Sequence, residues 1–251
     1  MTTDLHTHLG ETRMKYSNVN PGNVLSEADT LISRMNTFGV SKAVLTAFGS
    51  VECNELYLKA AEAHPDRLFP ACVIPPRPKD DALWLLKQYK DQQVSAIVID
   101  EDIITPIDPA VEHLIDQAIE MEMPVFYHFS SVGPEGLRLI DRMSEKYPSG
   151  KFVVLSMGGL FAFPHLLTIA NRKNIWIEIS DTIIKLVESP LRIFIDALLQ
   201  DRGANRLVFG SEHHSEYQNL LVSLNQLNIN IEDLEIIKQQ NAWIILGLDF
   251  S

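Results

Sequence analysis

Ala96-Ile97-Val98-Ile99-Asp100 and Pro124-Val125-Phe126-Tyr127-His128-Phe129 frame the stretch whose reading decides the fold. Each is a short apolar run with little polar alternation, the mark of a strand buried on both faces. Between them, Asp108-Pro109 opens a helical pattern that runs to Glu122. Aspartate is a good helix cap, and proline suits the first helical position because its missing N–H would find no helical partner there. Met123-Pro124 then punctuates the helix end. Strand, helix and strand in this order make one parallel βαβ unit.

The same rhythm extends in both directions. Apolar runs fall at Asp4–His8, Lys42–Ala47, Leu68–Ile74, Ala96–Asp100, Pro124–Phe129, Phe152–Met157, Ile175–Ser180 and Arg206–Glu212. Helical patterns occupy Val24–Phe38, Asn54–Ala63, Lys79–Gln92, Asp108–Glu122, Pro134–Tyr147, Phe161–Asn171 and Leu191–Asp201. Eight alternating units predict a parallel eight-stranded (β/α)8 barrel, a TIM barrel. A doubly wound open sheet is the competitor, and its usual glycine-rich phosphate loop is missing from Leu9–Asn20. A last amphipathic segment, Ile231–Leu248, predicts an extra C-terminal helix stopped at Gly247. Pro75-Pro76-Arg77-Pro78 reads as a stiff loop rather than a linker, so residues 1–251 are expected to form one domain.

Composition narrows the function. The 251 residues are 46% hydrophobic and 22% charged, with a formal net charge of −12. That balance opposes non-specific binding to nucleic acid or to an anionic membrane surface, both of which need basic patches. No apolar run approaches the ~18 residues of a membrane span, and the first residues lack the basic-then-apolar pattern of a secretory signal. Cys53 and Cys72 give no disulfide framework and read as reduced structural thiols. A cytoplasmic protein acting on a small molecule is the expectation.

Eight histidines occur, unevenly placed. His64 and His113 fall on helical patterns and His165 beside Pro164, where packing or solvation accounts for them. His6 and His8 are different. Residues i and i+2 of a strand face the same side, so Asp4-Leu5-His6-Thr7-His8 aims two imidazoles into one space. His128 ends the fifth run, and Glu212 ends the eighth, in Phe209-Gly210-Ser211-Glu212. The carboxyl ends of barrel strands are where such folds carry chemistry. Three imidazoles and one carboxylate suit a divalent cation, and the same carboxylate can take a proton from water acidified by the cation. A two-metal site would need a bridging carboxylate or modified lysine on the fourth run, which offers Asp100, Glu101 and Asp102 but no lysine. Acids at a strand end are usually caps or solvated loop residues, so one metal ion is expected.

These residues carry a resemblance. Asp4-Leu-His-Thr-His-Leu-Gly10 resembles the His-x-His signature of the amidohydrolase superfamily, in its amidohydrolase-related branch. That branch holds hydrolases, lactonases and non-oxidative decarboxylases such as aminocarboxymuconate-semialdehyde decarboxylase. His128 matches its strand-five histidine, and Met157-Gly158-Gly159 followed by Pro164 resembles its strand-six loop. Arg206-Leu-Val-Phe-Gly-Ser-Glu212 resembles a strand-eight motif that usually ends in Gly-Ser-Asp, and Asn241-Ala242 with Ile245–Leu248 resembles the closing helix. The resemblance implies a metal-dependent hydrolase of a small amide, ester or lactone, with a decarboxylase of a small aromatic acid as the alternative. It implies His6, His8, His128 and Glu212 as metal ligands, Glu212 also as catalytic base, zinc first and manganese second, and a homo-oligomer, a homodimer or tetramer.

Two departures bear on the reaction. Ser156 stands where the family has histidine, and Glu212 where it has aspartate. Serine hydrogen-bonds but is no acid or base near neutral pH. Its presence opens a third reading, a catalytically impaired ligand-binding barrel, and His213 or His214 is the candidate replacement for the missing imidazole. Ser156 and Arg13 are the expected substrate contacts, Arg13 as partner of a substrate carboxylate.

Overall fold

In the computed structural model, residues 1–10, 18–47, 50–128, 134–160 and 162–248 are described. The strands are β1 (Thr2–His8), β2 (Val40–Thr46), β3 (Leu68–Val73), β4 (Ala96–Asp100), β5 (Val125–His128), β6 (Phe152–Val154), β7 (Ile175–Glu178), β8 (Leu207–Val208) and β9 (Glu212–His213). All pair in parallel, in the order β8-β7-β6-β5-β4-β3-β2-β1-β9. β8 and β9 are two halves of one eighth strand. Between them, Leu5 N–H donates to Phe209 O at 2.9 Å and Ser211 N–H to His6 O at 2.8 Å. Because β8 pairs with β7 and β9 with β1, the sheet closes on itself as the expected (β/α)8 barrel.

The helices are α1 (Val24–Phe38), α2 (Glu52–Ala63), α3 (Lys79–Asp91), α4 (Pro109–Glu120), α5 (Pro134–Lys146), α6 (Phe163–Leu166), α7 (Asp181–Val187), α8 (Arg192–Arg202), α9 (Tyr217–Asn225), α10 (Ile231–Glu235) and α11 (Asn241–Leu246). α1 shows why they form. Val24, Ala28, Leu31 and Met35 recur at helical spacing and are buried together against the barrel. Burial of a side chain such as Leu31 or Met35 stabilises by roughly 1.5–3 kcal/mol. Gly39 ends the helix at φ 69°, a left-handed conformation that costs glycine little, and its N–H reaches Met35 O. α4 starts as its sequence demands, with Asp108 accepting from Ala110 N–H ahead of Pro109. The continuous apolar runs are buried on both faces: Ile97, Val98, Ile99, Val153 and Val154 are all fully buried.

Several elements differ from expectation. The sixth strand stops at Val154, and Leu155–Gly158 turn instead, with Ser156 at φ 51° and Met157 at φ 53°. Residues 163–166 alone form a helix where Phe161–Asn171 was expected, and residues 167–171 continue as turns held by bonds such as Ile169 N–H to Leu166 O. α7 and α9 were not anticipated. The C-terminal helix is present but carries a π-helical segment, Ile236–Gln240, between α10 and α11, and it ends at Gly247 as predicted. Among the described residues no helix is long and apolar enough to cross a membrane.

Side chains also stitch the layers. Asn54 of α2 is buried, donates to Val73 O at 2.7 Å and to Tyr89 OH at 3.1 Å, and accepts from Val73 N–H at 3.0 Å. Asn54→Ala deprives both polar groups of Val73 of this partner. The expected cost is about 2–3 kcal/mol, seen as a fall in Tm of about 5–10 °C for a chain of this size in thermal denaturation.

Candidate active site

The carboxyl ends of β1, β4, β5, β6 and β7 bring the chemistry together. His6 is fully buried, and its Nδ1 donates to Glu178 Oε2 of β7 at 2.9 Å. His128 sits opposite Asp100 in the β4–β5 register, and its Nδ1 donates to Asp100 Oδ1 at 2.9 Å. His8 turns its Nδ1 toward Leu9 O at 3.3 Å. Each acceptor is a carboxylate or carbonyl oxygen, so the proton of each neutral ring belongs on Nδ1 and the lone pair on Nε2. This is how protein metal sites orient their histidines. Burial, with the neighbouring His128 adding to it, pushes His6 down to about 3. Burial, reinforced by His213, holds His8 well below the usual imidazole range. Both rings are therefore neutral near pH 7, the form that binds a cation.

Glu178 was not singled out in the sequence. Its signal was a single acid ending the apolar run Ile175-Trp176-Ile177. It is fully buried, and burial pushes its carboxyl well above the usual range, against a lowering bond from Ser156. Its Oε2 also accepts from Ser156 N–H at 2.7 Å. Thr182 Oγ1 donates to Ser156 O at 2.8 Å. Ser156 is thus held at both backbone groups in a left-handed turn, a conformation that costs a non-glycine residue about 1–3 kcal/mol and recurs at functional sites. Gly210 completes the packing. A Cβ there would lie 2.2 Å from Glu178 Oε1.

Glu212 stands half-buried at φ 62° in the segment that closes the barrel, paired with Thr7. His213 is buried. Its Nε2 faces Gly10 O at 3.0 Å and its Nδ1 faces Ser215 Oγ at 2.9 Å, while its ring lies 5.1 Å from that of His8. Both nitrogens of His213 thus have local partners. The His214 ring packs 4.0 Å from that of His213, and burial pushes it down to about 4. Arg13 lies outside the described residues. Below the histidines, Asp4 accepts from His6 N–H, Ser211 N–H, Ser211 Oγ and Tyr217 OH, joining β1, the closing segment and α9.

Among the described residues, the group whose possible ligand atoms lie within 4.8 Å of one another is Asp100, Asp102 and His128. His6, His8 and Glu212 share this end of the barrel with it but belong to no such group there. The donor set fits a divalent cation in kind: three imidazoles with Nδ1 committed, and carboxylates beside them. Two cavities, of about 430 and 500 Å3, lie elsewhere. One is at the amino ends of β5 and β6, beside Lys151 and Gly247, and the other is between α2 and β3, beside Leu58 and Phe69. Neither contains a residue of the histidine group.

Solved structures share this architecture over nearly their whole length. A probable 2-pyrone-4,6-dicarboxylic acid hydrolase from Acinetobacter baumannii, with citric acid bound, is 18% identical, with 98% of this chain and 99% of that one covered and a TM-score of 0.76. A dihydroxybenzoic acid decarboxylase from a Polaromonas species, with bound manganese and the inhibitor 2-nitroresorcinol, is 14% identical, with 100% and 98% covered and a TM-score of 0.72. A 4-oxalomesaconate hydratase from Rhodopseudomonas palustris is 18% identical, with 98% and 96% covered and a TM-score of 0.66. No curated protein sequence matches significantly. A family model described as amidohydrolase matches residues 3–214, a span that holds every histidine and carboxylate described above. The chain belongs to this amidohydrolase family, whose members among its structural neighbours are enzymes of hydrolase and lyase type.

Proposed function

We propose that the chain is a single-domain, metal-dependent hydrolase that cleaves a small amide, ester or lactone. The observation that carries this reading is the commitment of Nδ1 in His6, His8 and His128 to Glu178, Leu9 O and Asp100. It leaves Nε2 of each as the lone-pair nitrogen at one end of the barrel, where a cation is to be held. His6, His8, His128 and Glu212 are the residues that would hold it. A zinc or manganese ion there supplies Lewis acidity, which acidifies water and polarises a carbonyl.

The chain's own residues do the rest. The Glu212 carboxylate accepts the proton of the attacking water. Ser156 presents its hydroxyl as a donor to substrate, and Arg13 pairs with a substrate carboxylate. Asp100 serves to orient His128. Its Oδ1 accepts from that ring and also from Asp102 N–H at 3.1 Å. Ser156, which cannot exchange protons near neutral pH, favours decarboxylation as the second reading, since loss of CO2 needs no strand-six base to activate water. A catalytically impaired ligand-binding barrel is the third. Cytoplasmic residence and a homo-oligomeric assembly complete the proposal.

The test begins with metal. Protein prepared without chelator is expected to retain close to one equivalent of zinc or manganese. His6→Ala and His128→Ala are each expected to weaken binding by at least 100-fold, measured by competition with a chelating indicator. Retention below about 0.2 equivalents, with no loading on titration, overturns the reading. A panel of lactones, esters and amides assayed beside CO2 release from aromatic acids then separates hydrolysis from decarboxylation, and silence across both with metal bound favours the ligand-binding barrel.

A further inference from the structure

We propose that Glu178 is a positioning residue that couples His6 to the strand-six turn, so that one buried carboxylate oxygen sets both the metal-facing imidazole and the substrate-facing Ser156. The inference rests on the metal reading for His6 and goes beyond it in tying that ligand to the turn.

The geometry is a fork. Glu178 Oε2 accepts from His6 Nδ1 at 2.9 Å and from Ser156 N–H at 2.7 Å. One donor lies on β1 and the other in the turn after β6, 172 and 22 residues away in sequence. Neither can move without disturbing the oxygen that holds the other. The carboxylate cannot retreat either. Its Oε1, which has no hydrogen-bond partner among the described residues, packs on Gly210, where even a methyl group would collide. The turn itself needs outside support, because Ser156 and Met157 both occupy left-handed backbone conformations. Glu178 holds the N–H of Ser156 and Thr182 holds its carbonyl. Glu178 thus bonds both the turn and the imidazole. In a chain with serine where relatives carry histidine, the strand-six position thereby gains a buried side-chain contact from the neighbouring strand.

Glu178→Gln and Thr182→Ala separate the two halves of this device. Glutamine can keep an oxygen at the fork but replaces the carboxyl with an amide, whereas Thr182→Ala loosens the same turn without touching His6. Three readouts apply to the full chain: zinc and manganese affinity by indicator competition, the 15N shifts of the His6 ring in metal-free protein, and the amide proton shift of Ser156. In the wild type, the His6 ring is expected in the Nδ1-protonated form and the Ser156 amide shifted downfield. Glu178→Gln is expected to weaken metal binding about 10–100-fold and to move both the His6 and Ser156 signals. Thr182→Ala is expected to move Ser156 and leave metal affinity within about threefold.

If Glu178→Gln binds metal within threefold of the wild type and leaves the His6 ring signals in place, the coupling is overturned while the metal reading stands. A wild type that binds no metal overturns the metal reading. The His6 and Ser156 shifts then still decide whether one carboxylate holds both groups. If Glu178→Gln fails to fold, Glu178→Asp replaces it. The shorter acid is expected to lose the two contacts together, and losing only one of them refutes the coupling.

Discussion

Gly210→Ala is expected to lower Tm by about 10 °C and to abolish high-affinity metal binding, although alanine is a mild change almost everywhere else. Gly210 is not among the residues with left-handed φ, so its backbone asks for none of glycine's conformational freedom. What the site needs is the missing Cβ. The added methyl would meet Glu178 Oε1 at 2.2 Å, Cδ at 2.5 Å and Cγ at 2.7 Å. An exposed glutamate would swing aside. This one is fully buried and bonded to His6 and Ser156, so relief means breaking both bonds or moving β7. Overpacking costs typically 1–3 kcal/mol, and a buried carboxylate pulled off its donors adds a similar amount. The sum of about 2–6 kcal/mol, centred near ~4 kcal/mol, corresponds to about 10 °C at roughly 2–4 °C per kcal/mol. A double-mutant cycle isolates the cause. In the Glu178→Ala background the collision is gone, and Gly210→Ala is expected to cost less than about 1 kcal/mol, a coupling well above the ~0.5 kcal/mol scatter of independent sites. Equal costs in the two backgrounds would show that the methyl clashes with something else.

The second large effect concerns Asp4, and its size depends on the replacement. Its Oδ1 accepts two backbone N–H groups, from His6 at 3.2 Å and Ser211 at 2.9 Å. Its Oδ2 meets two hydroxyls, Ser211 Oγ at 2.6 Å and Tyr217 OH at 2.9 Å. Asp4→Ala removes all four bonds from the seam that closes the barrel and is expected to cost about 3–5 kcal/mol. Asp4→Asn is expected to be tolerated. An amide oxygen can take the two backbone donors, and an amide NH2 can face hydroxyls that rotate to accept.

The same geometry predicts a pH dependence. Burial, partly offset by the bonds to Ser211 and Tyr217, pushes Asp4 up to about 7, against 3.8 for the unperturbed group. A folded-state pKa above the unfolded one means that the folded chain binds the extra proton. The contribution is therefore fully present below about pH 4 and is lost as pH rises toward 7. Across pH 5 to 7 the loss is on the order of 2 kcal/mol. Asparagine cannot titrate, so urea unfolding of the wild type and Asp4→Asn should diverge over that window, with the variant relatively more stable at pH 8. Parallel curves would mean that Asp4 is already ionised at pH 5.

The barrel was legible because its signals are local. The apolar run Ala96–Ile99 predicts a strand buried on both faces, and β4 is one. Asp108-Pro109 predicts a helix start, and Asp108 caps α4. Phe152–Met157 misled for an equally local reason. Its apolar pattern continues to Met157, yet the chain turns at Leu155 because Glu178 and Thr182 seize the backbone of Ser156 from another strand and helix. Nothing within a few residues of Ser156 records those contacts.

The site divides along the same line. By itself the sequence determined that His6, His8 and His128 end barrel strands, because strand periodicity and strand ends are set by residues within a few positions of one another. It also determined that Ser156 departs from the family pattern. Only the tertiary structure decided which acid holds which ring. The Glu178–His6 bond spans 172 residues and the Asp100–His128 bond spans 28. Each exists because parallel register and barrel closure set those strand ends side by side, and register is a property of the whole closed sheet rather than of any one segment. The same closure brings the backbone of Gly210 against Glu178 and so makes the absence of one methyl group a condition of the site.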